Sequence, residues 1–199
     1  MIAMDKAVTQ VVGTAIGIFR ANLSTYVPDI FENESPTNQD EITTWYGNPA
    51  NLIKLQVGWP TKVISMPGIW ATLGPAQETS AQQLQGYGRL GAPGMHALPL
   101  QESVQLIIAS PNQNEVLWLQ QLVLWALWTQ RPTLIAPPYN FQQQMVTASP
   151  LAPIPDSAGD VVFPFARAWT LTAWRMTGFS VPVPAAITAV DLTLDITNV

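Results

Sequence analysis

A glycine-rich hexapeptide and one histidine come nearest, in residue type and spacing, to catalytic or ligand-binding chemistry. Residues 86–91 read GYGRLG and match G-x-G-x-x-G, which holds a dinucleotide pyrophosphate where a buried strand leads into a helix. Mostly polar residues precede it at 80–85, and Ala-Pro-Gly follows at 92–94, so neither flank fits that context. His96, the single histidine, would have to serve any nucleophile–histidine–acid triad, yet no G-x-S-x-G turn accompanies it. We therefore predict a loop that binds no nucleotide and a loop histidine without a catalytic role.

Two groups of acidic residues are further candidates for chemistry. Asp156 and Asp160 flank a Ser-Ala-Gly turn and could offer oxygen ligands to a cation. Two carboxylates are few for such a site, and capping of the turn by the Asp side chains is the simpler interpretation. The second group could include the acid pair of a glycosidase, or it could belong to a solvated acidic loop. Its members are Glu32, Glu34, Asp40 and Glu41.

Aromatic residues suggest one more kind of site. Trp45, Tyr46, Trp59 and Tyr87, among many Gln and Asn residues, could form a surface that stacks on sugars. Most of the eight Trp residues, however, fall in predicted helices or strands, where burial in a core or interface accounts for them.

The composition limits the classes of function. Only 11% of the 199 residues are charged, against about 25% in an ordinary soluble domain. There is no Cys, which excludes disulfides and thiolate metal sites. The net charge of −5 argues against a nucleic-acid-binding protein, because binding to phosphates requires a basic surface. We expect that the protein is not an enzyme and that it binds no cofactor. A weakly charged surface is typical of a subunit that lies against neighbours.

The N-terminal apolar run 11–19 resembles a signal peptide only in part, because Asp5 precedes it, Arg20 ends it and no small-x-small cleavage pattern follows. No apolar run reaches the roughly 18 residues of a membrane span. We expect a soluble, non-secreted protein without a membrane partner.

The elements that would position these residues can be predicted from periodicity. Apolar residues at helical spacing predict an amphipathic helix over 4–23. A Pro-punctuated, acidic stretch predicts an irregular insertion at about 24–60, followed by a strand at 61–73. A Gly-, Pro- and Gln-rich sequence predicts a long loop at about 74–99, and a strand follows at 100–109.

A long apolar helix is predicted over 111–129. Ser110 would cap it, Pro111 would take its first position and Gln113 would complete a capping box. Because apolar residues cover nearly every side, we expect the helix to be buried all round, by a sheet on one side and by the first helix or another subunit on the other.

Strands are predicted at 141–148 and 161–176, with a Pro-rich turn at 149–160 between them. Together these elements predict one domain over 1–199 of the α+β class, with a mostly antiparallel sheet packed against the N-terminal helix and the long central apolar helix. A C-terminal arm is predicted at about 181–199.

The order and texture of several segments resemble the tail terminator and neck proteins of long-tailed bacteriophages. An N-terminal helix is followed by a strand at 66–74 (MPGIWATLG) and, after a loop, by a strand at 102–109 (ESVQLIIA). That strand leads directly into a helix beginning at 110–115 (SPNQNE), and a late strand carries Trp169 and Trp174. The resemblance covers the larger part of the chain.

This resemblance implies a structural virion protein, assembled in the host cytoplasm, that forms a homo-oligomeric ring, commonly a hexamer, at the tail–neck junction. Such a ring caps the tail tube and connects it to the head, so tail-tube and neck or connector proteins are its partners. DNA would pass through it without specific binding. It implies no catalytic residue. The alternative function is a carbohydrate-binding or adhesion module that uses exposed aromatics.

Candidate subunit-interface residues lie in three segments. Gly13 and Gly17, four apart on the first helix, suggest the close approach of another backbone, from a neighbouring subunit or from the chain itself. The central apolar helix is the second segment. In the arm, apolar residues alternate with polar ones after the Pro-rich stretch 182–184, and we expect residues 187–197 to add to the sheet of a neighbouring subunit or adjoining virion protein. The candidates in the last two segments are Trp118, Trp125, Trp128, Leu192, Leu194 and Ile196.

Overall fold

The computed structural model describes residues 3–58, 67–74, 77–78, 95–155 and 161–180, and these form five helices and seven strands. The helices are α1 (Met4–Ala21), α2 (Leu23–Ile30), α3 (Pro36–Gly47), α4 (Gln113–Thr129) and α5 (Arg131–Ile135). The strands are β1 (Lys54–Val57), β2 (Gly68–Leu73), β3 (Gln77–Glu78), β4 (Met95–Ser110), β5 (Gln142–Ala148), β6 (Ala152–Pro155) and β7 (Val161–Ser180).

The described strands form one sheet, in which β1, β2, β4, β7 and β5 lie side by side in that order. β3 pairs with β4, and β6 pairs with β7. The β1–β2 pair is parallel and the other pairs are antiparallel. The central ladder joins β4 to β7 from Met95, opposite Ser180, to Ser110, opposite Phe165. The predicted α+β class, with a mostly antiparallel sheet and helices packed on it, is confirmed.

The first helix buries the face that its sequence predicts. Val8, Val11, Val12, Ala15 and Phe19 are buried, at the spacing of one helix face. This face contacts β1, β2 and α4, so α1 covers one end of the sheet. Each large apolar side chain buried there contributes roughly 1.5–3 kcal/mol. The helix ends at Ala21 and not at residue 23, because the backbone of the next residue leaves the helical region.

The segment predicted as an irregular insertion at about 24–60 is instead mostly helical. It contains α2, α3 and the short strand β1. The prediction is wrong because Pro36 starts a helix there. Proline at the first helical position lacks only a donor that would have no partner anyway, and the Ser35 hydroxyl caps the helix by accepting from the Asn38 amide at 3.2 Å.

Arg20 joins the end of α1 to the end of α3. Its Nε donates to the Tyr46 carbonyl at 2.9 Å, and its Nη2 donates to the carbonyls of Asn48 and Asn51 at 3.1 and 3.2 Å. These carbonyls lie at and beyond the C-terminus of α3, where helical hydrogen bonding stops. A cation at this position also interacts favourably with the negative end of the helix dipole.

Two further boundaries differ from the prediction. The loop predicted at 74–99 contains β3, and β4 already begins at Met95, so His96 lies on a strand and not in a loop. The turn predicted at 149–160 contains β6. Several predicted features lie outside the described residues: the GYGRLG hexapeptide, Asp156, Asp160, Trp59, Tyr87 and the arm at 181–199.

The start of α4 is capped differently from the prediction. Asn112, and not Ser110, is the N-cap, and its side-chain oxygen accepts from the Asn114 amide at 2.9 Å. Ser110 donates instead to the Glu115 carboxylate. The other oxygen of that carboxylate accepts from Trp45 Nε1 at 3.0 Å. One carboxylate in the first turn thus links the end of β4 to α3.

Aromatic rings fill the junction of the helices. The Phe19 ring is completely buried and meets Tyr46 edge to face, with ring centroids 4.8 Å apart. Phe31 and Trp125 lie on its other sides at 6.5 and 6.1 Å. These four rings come from α1, α3, α4 and the residue after α2, so they hold the helical layer together.

Burial raises the pKa of the Tyr46 phenol well above its ordinary value of 10.0; the Arg20 charge opposes this shift and the Glu115 charge adds to it. The folded protein therefore keeps this proton at pH values where the unfolded chain loses it. Stability is unaffected below about pH 10 and falls as the pH rises from there towards the folded-state pKa.

Tyr46→Phe should remove this alkaline loss. The Tyr46 hydroxyl is buried without a hydrogen-bond partner in the described part of the chain, so the variant should equal the wild type at pH 8 or exceed it by up to about 1 kcal/mol. Urea unfolding at pH 8 and pH 11 measures both effects. Tyr26→Phe, which retains Tyr46, should still show the alkaline loss; equal losses in Tyr46→Phe and the wild type would contradict the prediction.

A buried ion pair lies at the end of the helix-covered face. Glu102 on β4 and Arg175 on β7 are both buried and form an ion pair diagonally across the ladder, since Glu102 lies opposite Ala173. The Arg175 guanidinium also lies over the Phe141 ring, 4.9 Å from its centroid. Because each of these charges has lost its contact with water, removing either partner would leave the other as an uncompensated buried charge and destabilise the fold.

Candidate assembly surface

The central helix is covered on one face only. Leu119, Leu122, Val123 and Ala126 are buried against α1 and the sheet. On the outer face, Leu117 is 37% exposed, Leu124 42% and Trp128 71%. In the single chain the sheet and helix layers cover only part of the circumference of α4, so its predicted burial on the remaining side, by another subunit, stays a prediction. The result is an exposed apolar stripe formed by Leu117, Leu124 and Trp128.

A groove lies beside the end of this stripe. The Arg131 guanidinium lies over the Trp128 ring, 5.9 Å from its centroid. Below them, a mainly apolar groove of about 190 Å³ separates α4 from β5. It is lined by Leu124, Leu127, Trp128, Arg131, Gln144 and Val146.

Strand β5 forms one edge of the sheet. Among the described strands it pairs only with β7. Val146 pairs with the core residue Leu171 and lines the groove, whereas Met145 pairs with Thr172 on the opposite face and is exposed. Residues 142–148 (QQQMVTA) contain no charge and no Pro, two of the features that protect an exposed edge from pairing with another strand, and their pairing with β7 shifts register between Gln142 and Met145.

The opposite edge of the sheet exposes several apolar side chains. Strand β1 pairs only with β2 in the part of the sheet that the structure describes. Leu52, Val57 and Leu73 are exposed along this edge.

The predicted interface residues divide into three groups. A Cβ added at Gly13 would meet a Leu55 methyl at 3.2 Å, so the close approach there is within the chain, whereas Gly17 faces open space. Trp118 and Trp125 are half-buried against other rings of the helical layer. Trp128 is the large apolar candidate that the structure leaves exposed, and Gly17 is exposed as well. Leu192, Leu194 and Ile196 lie outside the described residues.

Residues of two other candidate sites lie within the described part of the chain. The Glu34 carboxylate accepts from the Asn38 side chain at 2.9 Å, and Glu32, Asp40 and Glu41 are exposed. Trp45 packs edge to face on the buried Tyr46, so these two aromatics form no sugar-stacking surface.

The described residues contain neither a metal-binding cluster nor a membrane-spanning helix. No group of three or more His, Asp or Glu side chains there is placed to hold a metal ion. No helix in the same ranges has both the length and the apolar character needed to cross a bilayer.

No protein-family model matches this chain, and no curated protein sequence matches it. Among solved structures, the chain is similar to the PVC sheath/tube terminator of an extracellular contractile injection system, in its extended state, determined by cryo-EM. The similarity has a TM-score of 0.38 at 14% sequence identity. It covers 83% of this chain and 65% of the terminator chain, so this chain spans just under two thirds of that protein's length.

Proposed function

We propose that this protein is a structural subunit of a phage-tail-like particle and that it forms a ring capping the tail tube. The observation that carries the proposal is the exposed stripe of Leu117, Leu124 and Trp128 beside the uncharged edge of β5. A large exposed Trp next to an unprotected strand edge is costly for a free protein and is typical of a surface that another subunit covers.

The fold supports the same proposal. The segments that resemble tail terminator and neck proteins occupy α1, β2, β4, α4 and β7, in that order along the chain. The low charge content of 11% also fits a subunit whose surface is largely shared with neighbours.

The finer parts of the proposal follow from the resemblance. The ring is a hexamer at the tail–neck junction of a virion, between tail-tube and neck or connector proteins, and it joins the tube to the head. DNA passes through it without specific binding, in keeping with the net charge of −5. No part of this function requires catalysis or a cofactor.

Trp128→Ala should weaken the ring without unfolding the subunit. Exposed Trp residues at interfaces commonly contribute 2 kcal/mol or more, so the concentration at which rings dissociate should rise at least about tenfold. The unfolding free energy of the subunit should change by about 0.5 kcal/mol or less, because the Trp128 side chain is mostly exposed to solvent in the single chain. Sedimentation and negative-stain imaging would measure assembly, with wild-type particles near six times the 21.7 kDa chain mass.

The matched control is Ile18→Ala, which removes an exposed apolar residue from α1 and should leave assembly unchanged. Equal assembly of both variants would exclude the α4 stripe as the interface. A wild-type protein that stays monomeric at every concentration and does not bind isolated tail tubes would contradict the proposed function.

A further inference from the structure

The edge of β5 and the groove beside α4 together form a receiving site for an extended strand. The outer edge of β5 offers main-chain donors and acceptors along residues 142–148. On one face of that edge, the groove lined by Leu124, Trp128 and Val146 can take apolar side chains. Strand addition combines these two features, since the main-chain ladder provides affinity and pockets for alternate side chains provide register.

The sequence after β7 has the matching pattern. Val190, Leu192, Leu194 and Ile196 would lie on one face of a strand, with polar residues on the other. The apolar face suits the groove. The polar face carries Asp191 and Asp195, which would lie beside the uncharged side chains of β5 and meet no like charge there.

We propose that residues 187–197 of one subunit add as a strand to β5 of the neighbouring subunit, with their apolar side chains in the groove below Trp128. This inference rests on the proposed ring and identifies the contact that joins its subunits. It also explains why the edge of β5 needs no protecting charge, because a strand covers it in the assembly.

The direction of β7 favours a neighbour over the chain's own edge. Gln142, at the start of β5, pairs with Trp174, so β7 runs six residues past β5 before it ends at Ser180. Pro182 and Pro184 follow in the sequence, and proline disfavours the helical region for the residue before it. A return to its own β5 would require the chain to turn back after Ser180, so a neighbouring subunit is the proposed acceptor.

Disulfide trapping tests the contact directly, because the natural chain has no Cys. One chain carries Thr147→Cys on β5, and a second chain carries a single Cys on the polar face of the arm, at Asp191, Thr193 or Asp195, to sample register. Mild oxidation of the mixed chains should give a cross-linked dimer in at least one register, and neither chain should give that product alone. Gln56→Cys, exposed on the β1 edge, is the matched control and should not cross-link to the arm.

A second pair of variants tests the groove. Leu194→Asp should raise the concentration at which rings dissociate at least about tenfold, whereas Thr193→Asp, on the other face of the same segment, should not. The double variant Thr147→Cys/Thr193→Cys separates the two docking modes. A cross-link within one chain, with no dimer, would show that the arm covers its own edge and would overturn the inference.

The remaining outcomes distinguish this inference from the proposed function. Intact rings without a cross-link in any register, and unaffected by Leu194→Asp, would overturn the arm contact and leave the ring standing. Monomers without cross-links at every concentration would overturn both.

Discussion

Phe19→Ala should lower the free energy of unfolding by about 3–5 kcal/mol, which is among the largest losses expected for any single change. The Phe19 ring is completely buried and touches Phe31, Tyr46 and Trp125, which come from three different parts of the helical layer. Its removal would leave a cavity that rigid aromatic neighbours cannot readily fill. Denaturant unfolding followed by circular dichroism would measure the loss.

The neighbouring position provides the control. Ile18→Ala removes a comparable apolar side chain that is 40% exposed, and it should cost about 1 kcal/mol or less. If Phe19→Ala and Ile18→Ala cost the same, the aromatic rings do not form the packed junction that the structure shows.

Arg175→Met should cost about 3–5 kcal/mol, because it leaves the Glu102 carboxylate buried without its main counter-charge. The methionine side chain can still cover the Phe141 ring, so lost packing accounts for little of this value. Urea unfolding at neutral pH gives the measurement.

The double variant Arg175→Met/Glu102→Leu separates the charge effect from packing. Removing both charges should recover most of the stability that the single change loses, since no buried charge then remains. Additive losses in the double variant would show that the two residues do not act as a pair.

Local periodicity predicts the elements that bury one face. In α1, Val8, Val12 and Phe19 repeat at helical spacing, and the structure buries them together. The irregular insertion was predicted because proline usually breaks regular structure. Pro36 has the opposite effect, because it occupies the first position of α3 directly after the capping Ser35. That Ser-Pro pair was the signal that could have located the helix.

The candidate surface depends on contacts that no local pattern contains. Because α4 is apolar on nearly every side, its sequence does not indicate which side stays uncovered, and both Trp118 and Trp128 are equally good candidates there. Only the packing of α1 and the sheet on the other sides distinguishes them. The groove likewise depends on a distant contact. β5 lies next to α4 because it pairs with β7, which begins about fifty residues after the start of α4. No local motif indicates this placement, which follows from the topology of the sheet.

The ladder between β4 and β7 also sets the order in which the protein can mature. Its pairs join residues as distant as Met95 and Ser180, and α4, α5 and β5 are all synthesised between the two strands. Closing so long a loop costs chain entropy before the ladder returns any stabilisation, so this step is slow compared with formation of the helices. β5 pairs with β7 over a shorter stretch of chain, but the groove beside it also needs α4, which packs on both β4 and β7, so the complete surface exists only after the long ladder has closed. Under the proposed function, a half-folded subunit would lack this groove and could not recruit a neighbour through it, so folding would act as the checkpoint on which subunits the growing particle incorporates.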